Sequence, residues 1–176
     1  MATIQPCSLP DDALLSKYLH GGAYADCFVT EIARPVSHAE YVEAFYTTAV
    51  FKVERLLLAA FVARPSTDPQ ARELASGKAD SFAAWTVEAR GPDQLLLSDF
   101  QGRTRSWLMC APAATNASTS TRLYFGSAVV PKATTRSGEA RMGFVFSALL
   151  GFHKLYSRML LRAAVSRLER APTSGQ

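Results

Sequence analysis

Trp85-Thr86-Val87-Glu88, Leu95-Leu96-Leu97, Ser106-Trp107-Leu108 and Leu123 to Val129 anchor four successive strands. Gly151-Phe152-His153-Lys154-Leu155-Tyr156-Ser157-Arg158-Met159 lies in the long apolar helix that follows them. Gly91-Pro92-Asp93 and Gln101-Gly102-Arg103 supply turn chemistry, so the first three strands, about 82–90, 94–100 and 104–111, form a meander. A flexible hairpin loop rich in Ala, Ser and Thr, Ala113 to Thr121, leads to the fourth, about 122–130. A polar linker, Lys132 to Gly138, then precedes the last helix, roughly Arg141 to Leu168.

Upstream, Cys27 to Ala33 alternates as a strand, with Phe28 and Ile32 bracketing Thr30 on one face, until Arg34-Pro35 breaks it. Ser37-His38-Ala39-Glu40 reads as a capping box, and Tyr41, Val42, Phe45 and Ala49 follow at helical spacing. A second helix from about Ala49 to Val62 turns Val50, Val53, Leu57, Ala60 and Phe61 inward and leaves Lys52 and Arg55 in water. Asp68-Pro69 caps a short third helix that Gly77 closes. Residues 1–22 read as an extension with one short helix, capped by Asp11 and ended by Gly21-Gly22, with Leu14, Leu15 and Tyr18 as its apolar side. Strand, helices, meander and long helix give an α+β layout in one domain, 23–170, with a disordered tail over 171–176.

At 176 residues the chain can bury a substantial core, and 48% hydrophobic with 19% charged residues excludes wholesale disorder. Its charge is uneven. Residues 1–100 hold 8 Lys/Arg and 13 Asp/Glu, a net of −5, and residues 101–176 hold 11 and 2, a net of +9. The basic half can attract phosphate or acidic lipid, or face the acidic half within the fold or across a homodimer. Its basic residues are spaced singly and lack interleaved aromatics, so no nucleic-acid partner is expected.

Cys7, Cys27 and Cys110 are odd in number and widely spaced, which suits a reduced cytoplasmic protein with buried or idle thiols. There is no secretory pattern, since Asp11 and Asp12 fall where an apolar run is required. No transmembrane segment is expected: the run Leu56 to Ala63 is too short, and Met142 to Ala164 contains His153, Lys154, Arg158 and Arg162. No Gly-x-Ser-x-Gly elbow, P-loop or His-Glu-x-x-His occurs, and His20, His38 and His153 are scattered, so neither a metal nor a cofactor is expected.

The element order resembles the helix-grip arrangement of the START-like (SRPBCC) superfamily, which includes lipid-transfer domains and polyketide cyclases. Residues 82–164, about half the chain, resemble an uncharacterised bacterial domain family of that superfamily, often fused behind a Rossmann NAD(P)-binding domain. Trp85-Thr86-Val87-Glu88, Leu95–Leu97, Gly102-Arg103, Trp107-Leu108, Phe152-His153 and Met159-Leu160-Leu161 carry the resemblance. It implies a curved antiparallel sheet gripping the C-terminal helix. The chain departs from the pattern in having no Gly-x-Gly-x-x-Gly and only five readable strands, against seven in the full fold.

A pocket between that sheet and helix is expected to take a small hydrophobic or amphipathic molecule, in a volume of roughly 300–1,000 Å³. Trp85, Trp107, Phe125, Phe152 and Tyr156 are its candidate walls; His153, Asp99 and Arg105 are its candidate polar groups. Tyr46 and Tyr124 can add hydroxyls. His153 sits mid-helix among apolar residues, where it either binds a polar group or pairs within the core. Asp99 and Arg105 flank the tight turn in one of two registers. With a two-residue loop Ser98 faces Arg105; with three, Asp99 faces Arg105 and shares a face with Leu97 and Trp107. Two alternatives to a binder remain: a cyclase- or dehydratase-like enzyme using His153 or Asp99 as acid–base, and a non-catalytic interaction module. The module would use the stripe of Lys154, Arg158 and Arg162, which otherwise is a solvated face.

Overall fold

The computed structural model describes residues 3–21, 23–53, 55, 65–113, 120–130 and 139–170, with side chains excluded over 139–153. The hairpin loop expected at 113–121, the linker 132–138, most of the helix expected to Val62 and the tail 171–176 lie largely or wholly outside the described residues. Among the described residues, seven strands form one antiparallel sheet: β1 (Gln5–Pro6), β2 (Tyr24–Ile32), β3 (Ser81–Phe82), β4 (Trp85–Arg90), β5 (Gln94–Asp99), β6 (Thr104–Pro112) and β7 (Thr121–Val129). Their order is β1-β2-β7-β6-β5-β4-β3. The two strands missed by the sequence reading are the two-residue edges, too short to show any alternation.

Among the described residues the helices α1 (Ser16–His20), α2 (His38–Tyr46), α3 (Asp68–Ala75) and α4 (Glu139–Arg170) accompany the sheet. The α2 start is the expected capping box, with Ser37 and Glu40 each satisfying the other's backbone amide. Two other starts differ from expectation. Thr67, not Asp68, caps α3 through a box with Gln70, which frees Asp68 to meet Lys52 and Arg55, each at 2.6 Å. Asp11 is not the cap of α1, whose N-cap position is Leu15; the helix begins five residues later, after a turn in which Ala13 N donates to Pro10 O. Gly77, at φ +77°, follows α3 as expected.

Between α2 and α3, residues 49–53 and 55 are helical, rotated from the expected face. Phe51 takes the interior and Arg55, one turn on, follows it to 8% exposure, whereas Val53 is 60% exposed. A buried arginine is tolerable because its whole fork is occupied. Nε donates to Ser66 Oγ, Nη1 meets Asp68, and Nη2 donates to the Ser66 carbonyl.

Both faces of the sheet are covered. On the inner face Phe28, Ile32, Leu95, Leu97, Leu108, Leu123 and Phe125 form one core with α2, α3 and α4. The described part of α4 enters it through Leu160, Leu161, Ala164, Val165 and Leu168, the apolar stripe of an amphipathic helix. Lys154, Arg158 and Arg162 are exposed. On the outer face Cys27, Leu96, Trp107, Met109 and Ala128 pack under Ala13 and Leu15, so residues 5–20 lie as a strap across the sheet. The acidic and basic halves meet within the chain, as Arg105 pairs with Glu88 and Arg122 with Glu31. Among the described residues no helix is long and apolar enough to cross a membrane.

Candidate functional site

Between the inner face and α4 lies a cavity of about 150 Å³, lined by Phe45, Phe51, Trp85, Phe125, Tyr156, Ser157 and Leu160, with Thr104, Arg105, Ser106 and Ser127 from the sheet. Each element contributes by its own periodicity. On β6 and β7, alternate residues Ser106, Leu108, Phe125 and Ser127 point inward, and Ser106 stands directly opposite Ser127. On α4, Ser157 and Leu160 fall on the buried stripe. The aromatic wall is tightly coupled: Phe45 and Phe125 centroids are 4.8 Å apart, as are those of Tyr46 and Phe51.

Hydroxyls run along one side of this cavity. Tyr46 Oη and Ser106 Oγ are 3.1 Å apart, and Ser127 Oγ donates to Asp26 Oδ1 at 2.5 Å. The row Leu97–Ser106–Ser127–Asp26 thus crosses four strands on the inner face. Tyr24 closes its far end, 3.4 Å from Asp26 Oδ2. Burial, reinforced by the Asp26 charge, pushes the Tyr24 phenol up to about 12.

Two polar atoms on the cavity wall have no hydrogen-bond partner among the described residues: the Trp85 indole Nε1 and the Ser157 Oγ. Both are shut away from water, an unfavourable state that most buried polar atoms escape.

The structure brings together Trp85, Phe125 and Tyr156 among the expected site residues, with Arg105 at the cavity's border. Arg105 turns its head to the outer face, where Nε donates to the Tyr18 hydroxyl at 2.7 Å and meets Glu88 at 2.5 Å. Trp107 stands on the opposite face from α4, fully buried under the strap, and so is no wall of this cavity. Its inward assignment fails because alternation groups residues by face without saying which face the helix covers. Asp99 does not pair with Arg105. The register is Ser98 opposite Arg105, the first of the two alternatives, and Asp99 Oδ1 instead accepts from Arg103 N at 2.7 Å across the turn. Gly102, at φ +67°, makes that turn possible. Phe152 and His153 lie on α4 with side chains outside the described residues.

No family model matches the chain, and no curated protein matches it. The site therefore rests on its own geometry. Ser106, Ser127, Ser157, Phe45, Phe51 and Asp26 escaped the sequence reading, because isolated serines and phenylalanines carry no spacing signal. Only the alternation of Ser106 with Leu108, and of Phe125 with Ser127, hinted that hydroxyls would share the inner face.

The outer face differs in chemistry. Gln94, 6% exposed, accepts from Trp107 Nε1 at 2.9 Å and from Leu14 N at 3.0 Å, and donates to Asp12 O at 3.1 Å. Cys7 and Cys27, 20 positions apart in sequence, bring their sulfurs to 3.2 Å. All three thiols are free, and the separation of this pair in sequence hides its contact; Cys110 is buried on the inner face, its thiol pushed up to about 12 by burial.

Proposed function

We propose that this protein binds a small hydrophobic or amphipathic molecule between the inner sheet face and α4, in the manner of START-like helix-grip proteins. The unpartnered Trp85 Nε1 and Ser157 Oγ on the wall of an otherwise aromatic cavity carry this reading. An indole N–H and a hydroxyl together suit a ligand oxygen, while Phe45, Phe51, Phe125 and Leu160 suit a ring. The cavity's 150 Å³ is smaller than the volume expected of a small-molecule pocket, and matches a ligand about the size of one benzene ring. Asp99, one of the two acid–base candidates, is engaged in the hairpin turn and lies outside the lining. The same reading sets the protein in the cytoplasm, on the ground that three cysteines are an odd number for a disulfide framework.

Titration with acetophenone, followed through the two indole N–H resonances, tests the proposal. The Trp85 signal should shift saturably and the Trp107 signal, already bonded to Gln94, should stay. Equal movement of both signals, or of neither, overturns it.

One observation favours a second reading, an interaction module docking on an anionic membrane surface. Leu155 and Met159 are 59% and 48% exposed on α4, between the exposed Lys154, Arg158 and Arg162. Co-sedimentation with phosphatidylserine vesicles, but not with phosphatidylcholine alone, is its expected result; binding that ignores lipid charge counts against it.

A further inference from the structure

We propose that Cys7 and Cys27 form a redox-active dithiol site that exchanges with low-molecular-weight disulfides and closes to an intramolecular cystine. The register places them face to face. Gln5 pairs with Val29 and Pro6 with Phe28, and Cys7 N donates to Cys27 O at 3.0 Å, so Cys7 is the next rung. Directly opposed residues on antiparallel strands have Cα atoms about 4.5–5.5 Å apart, inside the span a disulfide requires. The sulfurs, at 3.2 Å, need only close the remaining gap.

The two thiols differ in the way such a site requires. Cys7 is half-buried and lines a surface groove of about 620 Å³ with Thr30, Glu31, Arg122 and Tyr124. Cys27 is buried beneath the strap. The hydrogen bond with Cys27 lowers the Cys7 thiol, burial opposes this, and Arg122 adds to the lowering. The same hydrogen bond and burial raise Cys27. These directions favour Cys7, the residue that lines the groove, as the attacking thiol.

In the first step the Cys7 thiolate attacks one sulfur of the small disulfide. A Cys7–sulfur bond forms, the small molecule's S–S bond breaks, and the leaving thiolate takes up a proton. In the second step Cys27 loses its proton and attacks the Cys7 sulfur, expelling the other small thiol, which is protonated in turn. Two protein thiols are oxidised and one small disulfide is reduced to two thiols. The cystine ties residue 7 to β2 and so fastens the strap that carries Leu15 and Tyr18 over the outer face.

The full chain, as wild type and as Cys110→Ser, is incubated with glutathione disulfide at neutral pH, alkylated and mapped by mass spectrometry. Both forms should lose two hydrogens and yield one cross-linked peptide pair containing Cys7 and Cys27. Cys27→Ser should stop at a glutathione adduct on Cys7. The oxidised wild type should melt about 5–10 °C above the reduced form. Free thiols in excess glutathione disulfide, a stable glutathione adduct on the wild type, or cross-linked dimers in place of the internal cystine would overturn the proposal. The wild-type peptide map separates these outcomes whether or not Cys27→Ser folds.

Discussion

Arg105 Nε stands 2.5 Å from Glu88 Oε2, although the two residues sit on β6 and β4 with β5 between them. Glu88 is the residue that a bulge leaves out of the β4–β5 ladder, where the register shifts between Val87 and Ala89. The strap supplies the other partners: the Tyr18 hydroxyl donates to Glu88 Oε1 at 2.5 Å, and Lys17 Nζ lies at the same distance. One bulged carboxylate thereby ties the strap to the outer face of the sheet. Arg122 and Glu31 make a more exposed cross-strand pair and should matter less.

Glu88 should make stability depend on pH. Burial alone would raise its carboxyl, but Lys17, Tyr18 and Arg105 outweigh burial and hold it below the ordinary value of 4.5. A folded-state pKa below the unfolded one contributes stability above the unfolded value, and this is lost as pH falls through the folded value. Glu88→Gln should cost about 1–2 kcal/mol at pH 7 and progressively less below pH 4.5. Urea denaturation from pH 7 to pH 3 reads the difference, and a cost independent of pH would refute the assignment.

Gln94 is the second tie of the strap. Replacing it with Leu removes the acceptor of both Trp107 Nε1 and Leu14 N, leaving two donors without their partner. The expected cost is about 2–4 kcal/mol. Limited proteolysis should then cut within residues 5–20 before the sheet unfolds, because the loss is concentrated where the strap meets β5. Simultaneous loss of strap and sheet would argue against a separable layer.

Ser157→Ala separates binding from stability. Removing a buried hydroxyl that lacks a partner should stabilise the ligand-free protein by about 1 kcal/mol. The same change should weaken acetophenone binding, since one of the two polar anchors is gone. Denaturation midpoints and the indole titration together check this. Loss of both stability and binding would mark Ser157 as a packing residue only.

What was legible in the sequence was local. The Ser37–Glu40 box, the Gly102 turn and the exposure of Lys154, Arg158 and Arg162 follow from short-range rules about caps, positive φ and helical spacing. The antiparallel sheet and long C-terminal helix were legible for the same reason. Trp107 was not, because period-two alternation sorts residues into two faces and only tertiary packing names them. The Cys7–Cys27 contact hangs on β1, a two-residue strand held by pairing rather than propensity. Ser106, Ser127 and Asp26 come from separate strands, so their common row exists only once the register is set.

Gly126 gives the sharpest test of how closely the strap is seated. It stands between Trp107 on β6 and Cys27 on β2, in the outer-face row that begins with Leu96. A Cβ there would meet Trp107 Cε3 at 2.8 Å, Leu15 Cδ2 at 2.9 Å and the Asp26 carbonyl at 3.1 Å. The fully buried indole is bonded to Gln94 and cannot retreat cheaply, so Leu15 is the group that must give. Gly126→Ala should therefore destabilise by about 1–3 kcal/mol. Faster proteolysis of residues 5–20 should accompany it, with the Trp85 response to acetophenone preserved on the far side of the sheet. An unchanged melting temperature would mean the strap is not pressed into the gap that Gly126 leaves.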